Sequence, residues 1–195
     1  MNTAQAQIEA GQRNIAEFNL HSLTGLPGRQ RFLTSLEAKV HDQAGGFSVH
    51  ILDVDGLKDK NDAEGHASGN DLILSIANTV METAKTGKLY HLHGDEFALI
   101  ADETDDDEVK TVTKTLEEAL EANGTPASIA GRAHVAGETD IELLHDVDLS
   151  MFERKAERKA AKYAKELSAL PLRQRIQHIA GRKLLNRSGL IPPNR

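Results

Sequence analysis

Residues 88–101 read KLYHLHGDEFALIA: two short apolar runs, KLYHL and FALIA, on either side of His93, Gly94, Asp95 and Glu96. A glycine-containing break of that length between two β-prone runs predicts a β-hairpin with its carboxylates at the tip. Upstream, GFSVHILDVD at 46–55 reads as a strand, first alternating and then continuously apolar, that ends in Asp53 and Asp55. Alternation places these two acids on one face. A carboxylate closing a buried strand is unfavourable unless it meets a cation or hydrogen bonds. If the hairpin lies beside this strand, its acids converge with Asp53 and supply the oxygen donors that hard divalent cations such as Mg²⁺ prefer. Two such ions would activate a hydroxyl and stabilise a leaving pyrophosphate. The competing reading is an ordinary strand end and turn tip, where paired acids are common.

The flanking segments supply helices. Residues 1–20 carry Ile8, Gly11, Ile15 and Phe18 at steps of three and four, the spacing of a short helical seam. HSLTGLPG at 21–28 reads as a turn, after which Phe32, Leu33, Leu36 and Val40 mark one face of a helix. From Ala67 to Ala84 the set Leu72, Leu74, Ile76, Val80 and Met81 predicts a long buried helix. Residues 102–108 hold six acids in seven, which reads as a solvated loop and acidic helix start leading into Val109–Leu120, where the helix dipole favours negative charge; a metal-binding acidic cluster is the lesser alternative. PASIAGRAHV predicts a further strand, Ile141–Leu144 a short helix, and Asp148–Leu167 another; a basic segment after Pro171 predicts one more. The order strand, helix, hairpin, helix, strand argues for an α/β or α+β sandwich on one sheet rather than a helical bundle.

The chain has 195 residues, 39% apolar, with no cysteine and no tryptophan. That length suits one domain, or one domain plus a tail. Without cysteine there is neither a disulfide framework nor a thiolate metal site, as suits a reducing, cytoplasmic setting. No apolar run approaches the roughly 20 residues of a membrane span, and the polar start is not a signal peptide, so no membrane is expected as a partner. The net charge of −7 would repel nucleic acid and free nucleotides, so a phosphate ligand would need local basic residues or a metal ion.

Four blocks in order, LTGLPGR at 23–29, LDVDGLKDKNDAEGHASGN at 52–70, HGDEF at 93–97 and VDLSMFERKAERK at 147–159, make the chain resemble the GGDEF domain family of nucleotidyl cyclases, which includes the diguanylate cyclases. The resemblance implies a palm-like fold with a central, mostly antiparallel sheet flanked by helices, and the divisions 1–20 helical stub, 21–166 GGDEF domain and 167–195 basic helical extension. It implies condensation of two GTP into cyclic di-GMP with release of pyrophosphate, dependent on Mg²⁺ (or Mn²⁺), at a site completed by an antiparallel homodimer. Asp53, with the carbonyl of Val54, and Asp95 then match metal ligands. Glu96 matches the acid that assists metal binding or takes the proton of the attacking 3′-hydroxyl. Lys58 matches a phosphate-binding lysine and Asn61 the asparagine that bonds guanine, while Lys155 and Lys159 fall where terminal phosphates are held. Their i, i+4 spacing puts both ammonium groups on one helix face; the plainer reading is a solvated basic face.

Several positions depart from the family pattern. His93 replaces the first glycine of the signature, ahead of Gly94, and would block the nucleotide, stack on it or turn outward. Asn70 stands where an aspartate usually reads the guanine edge; losing a charge-assisted bond, worth roughly 1.5–3 kcal/mol, weakens GTP binding or relaxes selection toward adenine. His91 replaces an arginine, and His21 and Gly28 replace the usual Asp and Asn of the first block. An R-x-x-D product-inhibition motif would fall at Ala84 and Gly87 and is absent. Three functions follow: a diguanylate cyclase; a degenerate GGDEF domain that binds nucleotide or a protein partner without turnover; and a module that contacts protein or nucleic acid through its basic tail. That tail, residues 167–195, carries +6 with no acid, against −13 for residues 1–166.

Overall fold

Residues 20–42, 46–84, 86–169 and 171 are described by the structure, a computed structural model. The predicted helical seam within 1–19 and the predicted helix after Pro171 lie outside the described residues. Two compact units divide the chain, one ending at Arg154 and one beginning at Lys155, and the sheet lies in the first. Helix α1 (Arg29–Asp42) is followed by strand β1 (Ser48–Val54), helices α2 (Leu57–Glu64) and α3 (His66–Thr83), and the hairpin β2 (Lys88–His93) and β3 (Glu96–Ala101); then come α4 (Asp106–Ala122), β4 (Ala127–Ala133) and α5 (Asp140–Ala169). Among the described residues no helix is long and apolar enough to cross a membrane.

The four strands lie in the order β2-β3-β1-β4, and every neighbouring pair is antiparallel. Helices cover both faces, which is why β1 is buried along nearly its whole length instead of alternating between core and solvent. On one face Leu52, Val54, Phe97, Leu99 and Ile129 pack with Leu72, Ile73, Ile76 and Val80 of α3 and Leu116 and Leu120 of α4. On the other, Val49, Ile51, Tyr90, Ala98 and Ile100 pack with Phe32 and Leu36 of α1 and with Leu143, Val147 and Met151 of α5.

Three expectations change. The long helix buries Leu72, Ile73, Ile76, Ala77 and Val80, whereas Leu74 is half-buried and Met81 is 48% exposed. The two predicted helices near 141–144 and 148–167 are one continuous helix. No glycine or proline interrupts residues 140–169, and Leu143, Val147 and Met151, four apart, hold its first turns on the sheet. Strand β1 stops at Val54, so Asp55 begins a turn: its N–H donates to the Pro126 carbonyl (3.0 Å) and its carboxylate accepts from Ser128 Oγ (3.1 Å).

The acidic run 102–108 caps α4, as expected of a helix start. Asp105 Oδ1 accepts from the N–H groups of Asp107 and Glu108, both at 2.9 Å, as an N-cap, and Glu108 reaches back to the N–H of Thr104, the residue before the cap, at 2.9 Å. Glu103 is the exception to a solvated loop, with a side chain only 11% exposed. Its carboxylate accepts from Ser48 Oγ and meets His50 Nε2 at 3.4 Å, and His50 Nδ1 meets Thr113 Oγ1 at 3.2 Å, in a buried polar cluster. Burial alone would raise the Glu103 carboxyl, but the bonds from His50 and Ser48 outweigh it and hold the group below its ordinary value of 4.5. A depressed folded-state pKa means stability that is present above the unfolded value and is lost as pH falls through the folded one. Chemical-denaturation midpoints of Glu103→Gln should therefore fall less steeply than wild type below about pH 4.5; parallel acid limbs would show that Glu103 does not carry this dependence.

Candidate functional site

Pairing of the hairpin with β1 brings the signature acids to the end of the central strand. Asp53 and Glu96 are register partners across β1 and β3, so their side chains share one sheet face. The Val54 N–H donates to the Asp95 carbonyl at 3.0 Å, which ties the turn to the strand beside these acids. Asp53, Asp95 and Glu96 are each half-buried, and Val54 is buried. Among the described residues no three or more His, Asp or Glu side chains form a ready-made metal group. Mg²⁺ is typically held by one or two carboxylates with water and substrate phosphates rather than by an all-protein cage. The donor set, carboxylate and main-chain oxygen without thiol, fits a hard cation.

Helix α2 carries Lys58, exposed, and Asn61, half-buried, one turn apart. Asn61 Oδ1 is buried without a hydrogen-bond partner. A buried acceptor of this kind is costly unless something supplies a donor, and the N–H groups of a nucleobase edge would. Gly69 of α3 makes the space for it: a Cβ there would stand 2.0 Å from Asn61 Oδ1. Asn70, the next residue, is exposed. Lys155 and Lys159 belong to the second compact unit, where both are exposed on α5.

The turn between β2 and β3 is only Gly94 and Asp95, shorter than the four-residue break suggests, because His93 and Glu96 pair as strand residues. Gly94 takes the left-handed backbone (φ 50°) that a tight hairpin needs, so the glycine retained by the signature does this work, and His93 ends β2 with its side chain exposed. Gly87, where the inhibitory aspartate would fall, is also left-handed (φ 104°), and a Cβ there would meet the Ile100 carbonyl oxygen at 2.6 Å. The backbone thus leaves no room for a side chain at that position.

His91 goes beyond its reading as a lost arginine. It is 1% exposed and stacks on His21 (centroids 3.5 Å apart) and on Phe97 (4.3 Å), while its ring nitrogens meet Thr24 Oγ1 at 3.1 Å and the Gly94 carbonyl at 3.0 Å. Burial pushes the His91 imidazole below its ordinary value despite the bond to Gly94, and burial with the nearby His93 lowers His21 likewise. Two departures from the family pattern, at 21 and 91, are therefore one contact. Their joint occurrence was the signal available in the sequence.

The described residues thus form a helix-covered antiparallel sheet whose central strand and neighbouring hairpin tip gather carboxylates. Residues 19–162 match the family described as "Diguanylate cyclase, GGDEF domain", and the chain belongs to that family. It is 26% identical over 163 residues to diguanylate cyclase DgcM of Escherichia coli (strain K12), covering 78% of this chain but 39% of DgcM, so it spans about two fifths of that relative's length. The fold matches the diguanylate cyclase SiaD of Pseudomonas aeruginosa, solved with its activator SiaC, with TM-score 0.66, 23% identity and coverage of 80% of this chain and 66% of that one. It also matches the GGDEF domain of DgcB from Caulobacter crescentus in complex with c-di-GMP, with TM-score 0.62, 23% identity and coverage of 71% and 91%.

Gly69→Ala separates site from scaffold. The added methyl displaces only the flexible end of Asn61, and helix propensity gains up to about 1 kcal/mol, so the melting temperature should stay near wild type or rise. If Asn61 bonds a guanine, as the family resemblance implies, GTP affinity by calorimetry should drop about tenfold, the loss of roughly one hydrogen bond. Unchanged affinity would show that Asn61 does not hold the base.

Proposed function

We propose that the chain is a metal-dependent nucleotidyl cyclase that joins two GTP into cyclic di-GMP and releases pyrophosphate, at a site that two copies complete between them. The observation that carries this reading is the register of Asp53 opposite Glu96 beside the bond from Val54 to Asp95. The orphaned Asn61 Oδ1 next to Gly69 supports it. Asp53, the Val54 carbonyl and Asp95 would hold Mg²⁺ or Mn²⁺, which supplies charge neutralisation for the triphosphate and acidifies the attacking hydroxyl. Lys58, Lys155 and Lys159 bind phosphate oxygens, Asn61 and Asn70 orient the base, and Gly94 lets the backbone approach the nucleotide. The 3′-oxygen of one GTP bonds to the α-phosphorus of the other as the bond to the departing pyrophosphate breaks, and Glu96 accepts the hydroxyl proton. The same step in the opposite sense closes the ring.

A second reading, nucleotide or partner binding without turnover, is favoured by His93, which places an exposed imidazole cross-strand from Glu96. Product analysis by mass spectrometry at high protein concentration, with GTP, ATP or both and Mg²⁺ or Mn²⁺, separates the two. A cyclic dinucleotide is expected, with at least a hundredfold loss in Asp95→Ala; no product from the wild type leaves the second reading. In the same assay Asn70→Asp should raise the preference for GTP over ATP, because a carboxylate accepts from both donors of guanine. An equal ratio in both proteins would remove Asn70 from base selection.

A further inference from the structure

His91 touches two parts of the chain through different atoms. Toward residues 21–28, its main-chain N–H donates to the Pro27 carbonyl at 3.0 Å, it forms a β-bridge with Gly28, and its ring lies on that of His21. Toward the signature, Nε2 meets the Gly94 carbonyl at 3.0 Å, and Phe97 closes the other side of the ring. The bonding fixes the tautomer. A carbonyl only accepts, so Nε2 carries the hydrogen; Nδ1 is then the acceptor, and the Thr24 hydroxyl donates to it. The Thr24 oxygen in turn accepts from the Leu26 N–H at 3.4 Å. The result is a directed chain from Leu26 through Thr24 and the imidazole to Gly94, one residue before Asp95. Burial lowers the imidazole pKa and so favours the neutral form this chain requires.

Packing alone does not explain a histidine here. An aromatic hydrocarbon would fill the slot between His21 and Phe97, and burying two ring nitrogens is unfavourable unless both find partners. Both do, and they sit on opposite edges of the ring: one partner belongs to the segment by which the polypeptide enters the domain, the other to the turn that presents Asp95 and Glu96. The entry segment is itself held, with the His21 N–H donating to the Leu26 carbonyl (2.7 Å) and Leu20 bridging Pro27. A shift of residues 21–28 therefore moves the Thr24 hydroxyl, and with it the donor that sets the Gly94 carbonyl.

We propose that His91 is a positioning residue that couples residues 21–28 to the Gly94–Asp95 turn, so that whatever displaces the entry segment alters the geometry of the carboxylate site. The proposal gives the site assigned above a route of control, and it is testable without turnover.

Thr24→Val removes the hydroxyl at nearly constant volume, and Thr24→Ser keeps it. In the full chain, ¹H–¹⁵N spectra should show displaced Gly94, Asp95 and Glu96 amides and loss of the single Nε2–H tautomer in Thr24→Val, with both restored in Thr24→Ser. Mn²⁺ titration should show metal affinity at least threefold weaker in Thr24→Val. Where turnover is measured, kcat should fall several-fold with KM within twofold. His91→Phe, which keeps the stack, should displace the same amides, and the double variant should add nothing further. Wild-type amide positions and Mn²⁺ affinity in Thr24→Val would overturn the coupling, as would full additivity in the double variant. Should His91→Phe fail to fold, the Thr24 pair decides alone. An inactive wild type that still shows the Thr24 effects would sink the cyclase reading and leave the coupling standing.

Discussion

Strand β1 hydrogen-bonds to β3 on one side and β4 on the other, and its two faces feed two separate cores. Its register is therefore held four ways. Because side chains alternate, a slip of one residue would send Val49 and Ile51 toward the core built for Leu52 and Val54, and would carry Asp53 away from Glu96. The hydrophobic packing that makes the sheet is thus the same constraint that sets one carboxylate opposite another at its end. The exposed turn adds only the bond from Val54 to Asp95 and the left-handed glycine that closes the hairpin.

That constraint also explains where the acids go. Like charges gathered at a strand end repel one another unless each has separate work or a shared cation. Asp55 is taken up by Ser128, Asp105 and Glu108 by the first turn of α4, and Glu103 by Ser48 and His50. Asp53 and Glu96 stay paired in register at the end of β1, beside Asp95 of the turn. In a body that carries −13 over residues 1–166, a bound cation and a few lysines are what would let triphosphate approach.

The sheet was largely legible in the sequence because its signals are local: two apolar runs in 88–101, glycine at the turn between them, and apolar residues at 49, 51, 52 and 54 that place apolar side chains on both faces of one strand. The convergence of Asp53 with Glu96 was conditional on strand pairing, which no local pattern states. What escaped depends on contacts across long separations. Glu103 looked like one more solvated acid because its partners lie 55 and 53 residues away. Met81 fits a helical apolar face by spacing, yet faces outward because neighbouring Val80 and Ile76 already fill the sheet side. The segments 141–144 and 148–167 read as separate helices, yet nothing between them ends a helix: residues 140–169 contain neither glycine nor proline, and the helix runs on.

The histidines at 21 and 91 show the same limit from the other side. Taken singly, each replaces a family residue, one acidic and one basic. Seventy residues apart in sequence, they form a single stack, and an aromatic pair with directed hydrogen bonds stands where an ion pair would otherwise be available to opposite charges. The exchange alters what holds the junction. An ion pair tolerates small displacements because Coulomb attraction falls off slowly with distance, whereas a stack with two ring-nitrogen bonds is directional and weakens steeply when tilted. A junction of the second kind transmits movement of the entry segment to the turn more sharply than one of the first kind.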